Sequence, residues 1–315
     1  MPGIDRSAFE HVTVMAQEVV QVIAPAADGV YLDLTAGGGG HSAALLEAAP
    51  EARLIAIDRD PLAVDAARAR LARHGEKVRV VHAAFTDVEQ VLRDLGVAQV
   101  TGVVADLGVS SPQLDSPERG MSFRQAGPLD MRMDTTRGET AYELIARVSQ
   151  DELANIIYQF GEERRSRRVA RCIKQALDAG ELASTTDLRR AIVRAVGPRR
   201  IAGMDPATRT FQALRLAVNQ ELGELGKVLE LVPRIVAPGG VAAFISFHSL
   251  EDRLVKRAFL DRDVWFRLTK KPQTVGDRER EENPRSRSAK LRAARRVPSA
   301  LSFEAEPVEE IDGIS

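Results

Sequence analysis

Between residues 30 and 112 the chain alternates two spacings of apolar side chains. Four short runs, Val30-Tyr-Leu-Asp-Leu34, Leu54-Ile-Ala-Ile57, Val78-Arg-Val-Val81 and Gly102-Val-Val-Ala105, have the length and β-branched content of strands. Between them, Ser42–Ala49, Pro61–His74 and Asp87–Leu95 carry apolar residues at helical spacing. Strand-helix repetition predicts an α/β fold with a mostly parallel sheet covered by helices on both faces. The binding crevice of such a sheet lies at the carboxyl ends of its strands.

After Pro112 the pattern changes. Tyr142–Val148, Gln150–Phe160, Arg167–Ala179 and Thr186–Ala195 read as helices, and no convincing strand interrupts them up to about residue 213. A long amphipathic helix is then expected from Phe211 to Val236. Pro238-Gly-Gly240 reads as a turn, Val241–Phe247 as a buried strand and Ser249–Leu260 as a further helix. One or two edge strands are expected near the end. The predicted organisation is a discontinuous α/β domain (residues 1–112 and 214–300), an inserted helical domain (113–213) and a flexible acidic tail (301–315).

Composition narrows the class. With 315 residues, 44% hydrophobic and 28% charged, the chain has ample material for a core. It contains no apolar run of membrane-spanning length, and its start lacks a signal-peptide profile. Cys172 is the only cysteine, which excludes an intramolecular disulfide and a cysteine-based metal site; the expected compartment is the cytoplasm. No His/Asp/Glu set has metal spacing, so no metal is expected. The net charge of −1 conceals an asymmetry: Arg164 to Lys174 holds six basic residues and no acid. From Arg253 to Arg296 there are 15 Lys/Arg against 6 Asp/Glu, offset by five acids between Glu304 and Asp312. Local basic faces on a neutral chain suit a polyanionic partner.

The strand ends carry the candidate chemistry. Asp33-Leu-Thr-Ala-Gly-Gly-Gly-Gly-His-Ser42 follows the first strand, and its glycines let a nucleoside-type ligand lie against bare backbone. The spacing departs from the Gly-x-Gly-x-x-Gly of dinucleotide folds. Asp58 ends the second strand where ribose hydroxyls need an acceptor, a feature shared by nicotinamide enzymes and S-adenosylmethionine (AdoMet) methyltransferases. Asp60 reads instead as the cap of a helix starting at Pro61. Phe85, after the third strand, stacks on a purine or belongs to the core; its polar neighbours favour stacking. Asp106-Leu-Gly-Val-Ser-Ser-Pro112 brings acceptors to the fourth strand end, where Asp106, Ser110 and Ser111 are suited to an exocyclic amine. In Ser246-Phe-His-Ser-Leu-Glu-Asp-Arg253, Ser249 is the expected helix cap with Asp252 in the capping-box position, which points Phe247 and His248 at the crevice.

These stretches together resemble the RsmH/MraW family of ribosomal RNA small subunit methyltransferases. The matching segments include Leu34-Thr-Ala-Gly-Gly-Gly-Gly-His-Ser42, Ala56-Ile-Asp-Arg-Asp-Pro61, Asp106-Leu-Gly-Val-Ser-Ser-Pro-Gln-Leu-Asp115 and Gly127-Pro-Leu-Asp-Met-Arg-Met-Asp134. Others are His11-Val-Thr-Val-Met15, Arg119-Gly-Met-Ser-Phe123, Phe211–Leu222, Ser246–Arg253 and Asn283–Arg292. The resemblance implies a class I Rossmann-like AdoMet methyltransferase fold and N4-methylation of a cytidine in the decoding region of 16S rRNA. It further implies that Gly39, Gly40 and His41 line the cofactor, Asp58 holds its ribose, and Phe85, Asp106 and Gln113 complete the pocket. Asp106, Ser111 and His248 are the candidates for catalysis, the small ribosomal subunit is the implied partner, and a homodimer is implied. Gly38 and Ala36 stand where the family often carries an arginine and an aromatic, and Met121 replaces a frequent phenylalanine. Other readings are a DNA cytosine-N4 or adenine-N6 amino-methyltransferase, a cofactor-binding RNA chaperone without turnover and, more distantly, a nicotinamide oxidoreductase.

Overall fold

A computed structural model describes residues 13–200 and 203–298. The acidic tail (301–315) and the start of the His11–Met15 segment lie outside the described residues. In chain order the elements are α1 (Ala16–Ile23), β1 (Val30–Asp33), α2 (Gly40–Ala48), β2 (Arg53–Asp58), α3 (Pro61–Leu71), β3 (Val78–His82), α4 (Val88–Asp94) and β4 (Val100–Asp106). The short α5 (Ser111–Asp115) follows, then α6 (Ala141–Arg147), α7 (Gln150–Gly161), α8 (Ser166–Asp178), α9 (Thr185–Val196), α10 (Thr208–Val218) and α11 (Glu221–Ile235). The chain continues with β5 (Val236–Ser246), α12 (Ser249–Ala258), β6 (Trp265–Arg267), β7 (Gln273–Thr274), α13 (Asp277–Glu282) and β8 (Lys290–Arg296).

The sheet runs β3-β2-β1-β4-β5-β8-β6, with β7 also on β8. Strands β1 to β5 are parallel, whereas β8 is antiparallel to both β5 and β6. This is the expected Rossmann-like α/β fold, with the strand order reversing between β1 and β4. Alternation along each strand sends neighbours to opposite faces. Leu32, Ile55, Val103 and Phe244 bury one face under α4, α11 and α12. Tyr31, Leu54, Val104 and Ile245 bury the other under α1, α2 and α3. A third cluster, including Ile145, Ile157, Ile173, Ile192 and Leu214, joins α6 to α10.

Local sequence explains the helix starts. Asp60 caps α3, its Oδ1 accepting the Leu62 N–H at 3.0 Å, with Pro61 in the first turn. Thr140/Glu143, Ser149/Glu152 and Ser184/Asp187 are reciprocal capping boxes at α6, α7 and α9.

Two expectations are corrected. The single helix over 211–236 is two, α10 and α11, because Gln220 is left-handed (φ 50°) and Asn219 turns its amide toward the 131–133 loop. The Arg215–Glu221 ion pair (2.7 Å) then bridges the break. Residues Pro238–Gly240 lie within β5, where the register on β4 shifts between Val100↔Val236 and Gly102↔Val241; they form a bulge in the strand rather than a turn before it. The expected edge strands near the end are the short β6 and β7, both on the outer side of β8, which itself lies between β5 and β6 with Leu291, Ala293 and Ala294 fully buried.

Candidate active site

Parallel register brings Asp33, Asp58 and Asp106, the last residues of β1, β2 and β4, to one sheet edge. Asp33 is fully buried. Its Oδ2 accepts the Ser42 hydroxyl at 2.7 Å and its Oδ1 the Thr35 N–H at 3.0 Å, which ties the start of the glycine loop to its end. Asp58 accepts the Gly37 N–H at 2.8 Å and the Asp60 N–H at 2.9 Å. Burial pushes its carboxyl up to about 6 despite these two donors. Burial likewise raises Asp33, against the attraction of His41 and the bonds from Ser42 and Thr35.

His41, in the first turn of α2, is 4% exposed and places Nε2 3.6 Å from Asp106 Oδ2. Burial alone would lower its pKa, but the attraction of Asp106, Asp33 and Glu279 outweighs it and raises the imidazole above its ordinary value. The Asp106 N–H donates to Thr35 Oγ1 at 2.6 Å. Its Oδ1, and both ring nitrogens of His41, find no hydrogen-bond partner among the described residues. Buried polar atoms of this kind call for a ligand or water.

A cavity of about 530 Å³ opens over these strand ends, within the roughly 300–1,000 Å³ of small-molecule sites. Gly40, His41, Asp58, Phe85, Asp106, Ser111, Gln113 and His248 all line it, as do Gly37 and Gly38. Gly39 does not. Left-handed at φ 75°, it backs onto α3, where an added Cβ would lie 3.3 Å from Leu71 Cγ. Gly40 is needed for close approach, since a Cβ there would stand 1.8 Å from Thr13 Oγ1. The opposite wall comes from Met121, Ser122 and Phe123 and from Phe211 and Gln212 of α10, so the helical segment completes the cavity.

The loop after β4 is held by a buried polar chain. Gln113 Oε1 accepts the Ser110 N–H at 3.0 Å, and its Nε2 donates to Asp60 Oδ2 at 2.7 Å. Arg119, 7% exposed, reaches the same Asp60 oxygen at 2.8 Å and donates to the Met133 carbonyl at 2.7 Å. Asp60 therefore caps a helix and also anchors the loop after β4. Sequence reasoning missed Arg119 and Asp33. Asp33 had a signal, an apolar strand ending on an acid, as at Asp58 and Asp106.

The expected Ser249/Asp252 cap is corrected. His248 is the N-cap of α12, its Nδ1 accepting the Glu251 N–H at 3.4 Å, while Glu251 Oε2 accepts the Phe247 N–H at 2.9 Å. His248 Nε2 lies 3.2 Å from Glu251 Oε1, so both ring nitrogens face this acid. Burial opposes its ionisation, but His248, the Phe247 N–H and Arg215 hold the Glu251 carboxyl below its ordinary value. Asp252 is drawn away to Arg292, at 2.7 Å.

A bare glycine loop, an acid for ribose hydroxyls, an aromatic ring and unpartnered acceptors fit a nucleoside cofactor such as AdoMet. Among the described residues no group of His, Cys, Asp and Glu could hold a metal ion. The profile of the MraW methylase family matches residues 8–297. A protein of Sorangium cellulosum (strain So ce56), named Ribosomal RNA small subunit methyltransferase H, is 65% identical over 291 residues, 92% of each chain. A namesake from Prochlorococcus marinus (strain MIT 9303) is 51% identical over 306 residues, 95% of this chain and 97% of its own. With the match running from the glycine loop through β8, the cavity and the strands that frame it fall inside one matched unit, and the chain belongs to the MraW methylase family.

Proposed function

We propose that this chain transfers the methyl group of AdoMet to the exocyclic N4 amine of a cytidine in the decoding region of 16S rRNA. Its near full-length identity of 65% to a small subunit rRNA methyltransferase carries this reading and disfavours DNA as the polymer. When bound, AdoMet supplies a methyl on a sulfonium centre that an amine attacks in line.

The residues of the chain position and polarise. Asp58 accepts the ribose hydroxyls, Phe85 covers the base, and Gly40 lets Thr13 of the cavity lining pack against the glycine loop; Gln113 acts by fixing the loop. Cytosine N4 is a poor nucleophile because its lone pair is delocalised into the ring. Asp106, which lines the cavity with a partly exposed carboxylate, accepts an amine N–H and favours the more tetrahedral nitrogen of the transition state. Ser111, at the start of α5, is a second acceptor, and His248 holds the cavity wall through Glu251. Residues 113–213 form the substrate-recognition insertion, and the target base reaches the pocket splayed from its strand.

We place this activity in the cytoplasm; no described helix is long and apolar enough to cross a membrane. The family resemblance also supports a homodimer, which sedimentation tests. The decisive assay is transfer of radiolabelled methyl to small ribosomal subunits in competition with duplex DNA. N4-methylcytidine in the digested RNA is expected, and its absence sinks the reading.

A further inference from the structure

We propose that the exposed face running from α8 across Glu162 to α12 receives the single-stranded RNA flanking the target nucleotide. Its arginines hold phosphates and Tyr158 stacks on a base. The inference rests on the rRNA reading above and assigns it a surface outside the cofactor cavity.

Arg164, Arg167, Arg168 and Arg171 are all exposed, on the turn before α8 and on its outer side. Arg167 faces Asp151 at 3.7 Å, whereas Arg164, Arg168 and Arg171 have no carboxylate at ion-pair distance among the described residues. On a chain of net charge −1, this is a local cationic field. Beside it Tyr158 of α7 is 60% exposed, a large ring left in water. Asp151 and Tyr158 share one face of α7 by their spacing of seven, and Glu162 is the left-handed residue (φ 51°) that caps the end of the helix. Arg167 therefore marks one end of that face.

The other end leads to the cavity. Glu162 lies 3.7 Å from Arg253 Nη2, its Oε2 accepts the Ser249 hydroxyl at 3.2 Å, and its carbonyl accepts Arg209 Nη1 at 3.4 Å. Ser249 opens α12 directly after His248, a cavity-lining residue. Lys256 and Arg257 continue the exposed positive charge along α12. An exposed ring on a helix with an arginine at each end, leading to a pocket for one base, has the chemistry of a single-strand groove, where bases stack and cations follow the backbone. A duplex would turn its stacked bases away from Tyr158.

The test compares wild type, the triple variant Arg164→Ala/Arg168→Ala/Arg171→Ala, Tyr158→Ala and Tyr158→Phe. Each is titrated with a single-stranded RNA oligonucleotide and with intact small subunits over a range of salt. The triple variant is expected to bind the oligonucleotide at least tenfold more weakly. Its log–log salt slope should fall by about two, since each phosphate that an arginine neutralises on a single strand adds about 0.7. Tyr158→Ala should weaken binding with the slope unchanged, and Tyr158→Phe should restore it. AdoMet affinity and thermal midpoint should stay at wild-type values throughout, which separates a damaged surface from a damaged fold. Wild-type oligonucleotide affinity and slope in the triple variant would overturn the proposal. So would a defect seen only with intact subunits, which would assign the face to a ribosomal protein. A wild-type chain that neither binds nor methylates ribosomal RNA would refute the rRNA reading itself.

Discussion

Asp58 is pulled in opposite directions by its surroundings and its task. Burial raises its carboxyl from 3.8 to about 6, so between these values the folded chain holds a proton that the unfolded chain has released. Its contribution to stability is therefore fully present below 3.8 and is lost as pH rises through about 6. AdoMet acts the other way, because ribose hydroxyls bind the ionised carboxylate better. The thermal shift produced by AdoMet is expected to shrink as pH falls from about 7.5 through 6 to 5, and Asp58→Asn should be weaker and lose the part of that dependence that Asp58 carries. A wild-type shift independent of pH would contradict this assignment. Asp106→Ala tests a different event: methyl transfer should fall by about 10²- to 10³-fold, with RNA affinity within about twofold of wild type. An unchanged transfer rate would remove Asp106 from the chemistry. Asp58 and Asp106 were legible because each ends an apolar run with an acid. The buried Arg119–Asp60 pair was not, since an arginine amid polar turn residues looks like any solvated one.

At the scale of elements, the break between α10 and α11 organises the cavity wall. Asn219 Oδ1 accepts the Met133 N–H at 2.7 Å, and its Nδ2 donates to the Met131 carbonyl at the same distance, fixing the loop that Arg119 also grips. Met131 is left-handed at φ 62°, and these bonds hold its carbonyl and the neighbouring N–H in place. Asn219→Ala orphans both backbone groups and should cost about 2 kcal/mol, read by urea denaturation. A loss below the measurement error would mean that water replaces the amide. Nothing in Leu216-Ala-Val-Asn-Gln-Glu-Leu222 announced this break, because the apolar spacing runs through it without glycine or proline. The first four strands were legible for the converse reason. Their apolar runs are short and bounded by turn residues, and each is followed by a helix long enough for a parallel crossover. At α12 serine and histidine adjoin, and only the fold shows which of them turns its side chain back onto the helix.

Over the whole molecule, two apolar layers sandwich the sheet and a third core gathers α6 to α10, with the cavity where they meet. The basic stretch from Lys290 to Arg296 forms an inner strand, although four cations in seven residues resemble a solvated surface. In fact Arg292 is held by Asp252 at 2.7 Å, and Arg296 Nη1 donates to the Val236 carbonyl at 2.6 Å. A chain truncated after Ser288 should expose the flank of β5 and strand β6. It should aggregate in light scattering and give no thermal shift with AdoMet; a soluble, AdoMet-binding truncation would show β8 to be dispensable. The place of β8 also bears on how the protein is made. Its pairing joins Ser246 to Lys290 and Val241 to Arg295, and Asn283, Arg285 and Ser288, just ahead of it, line the cavity. During synthesis the sheet stays open until β8 emerges, so a nascent chain can assemble its early strand-helix units but cannot complete the pocket. An enzyme whose proposed substrate is the ribosome would thus become competent only once β8 has cleared the ribosome that makes it.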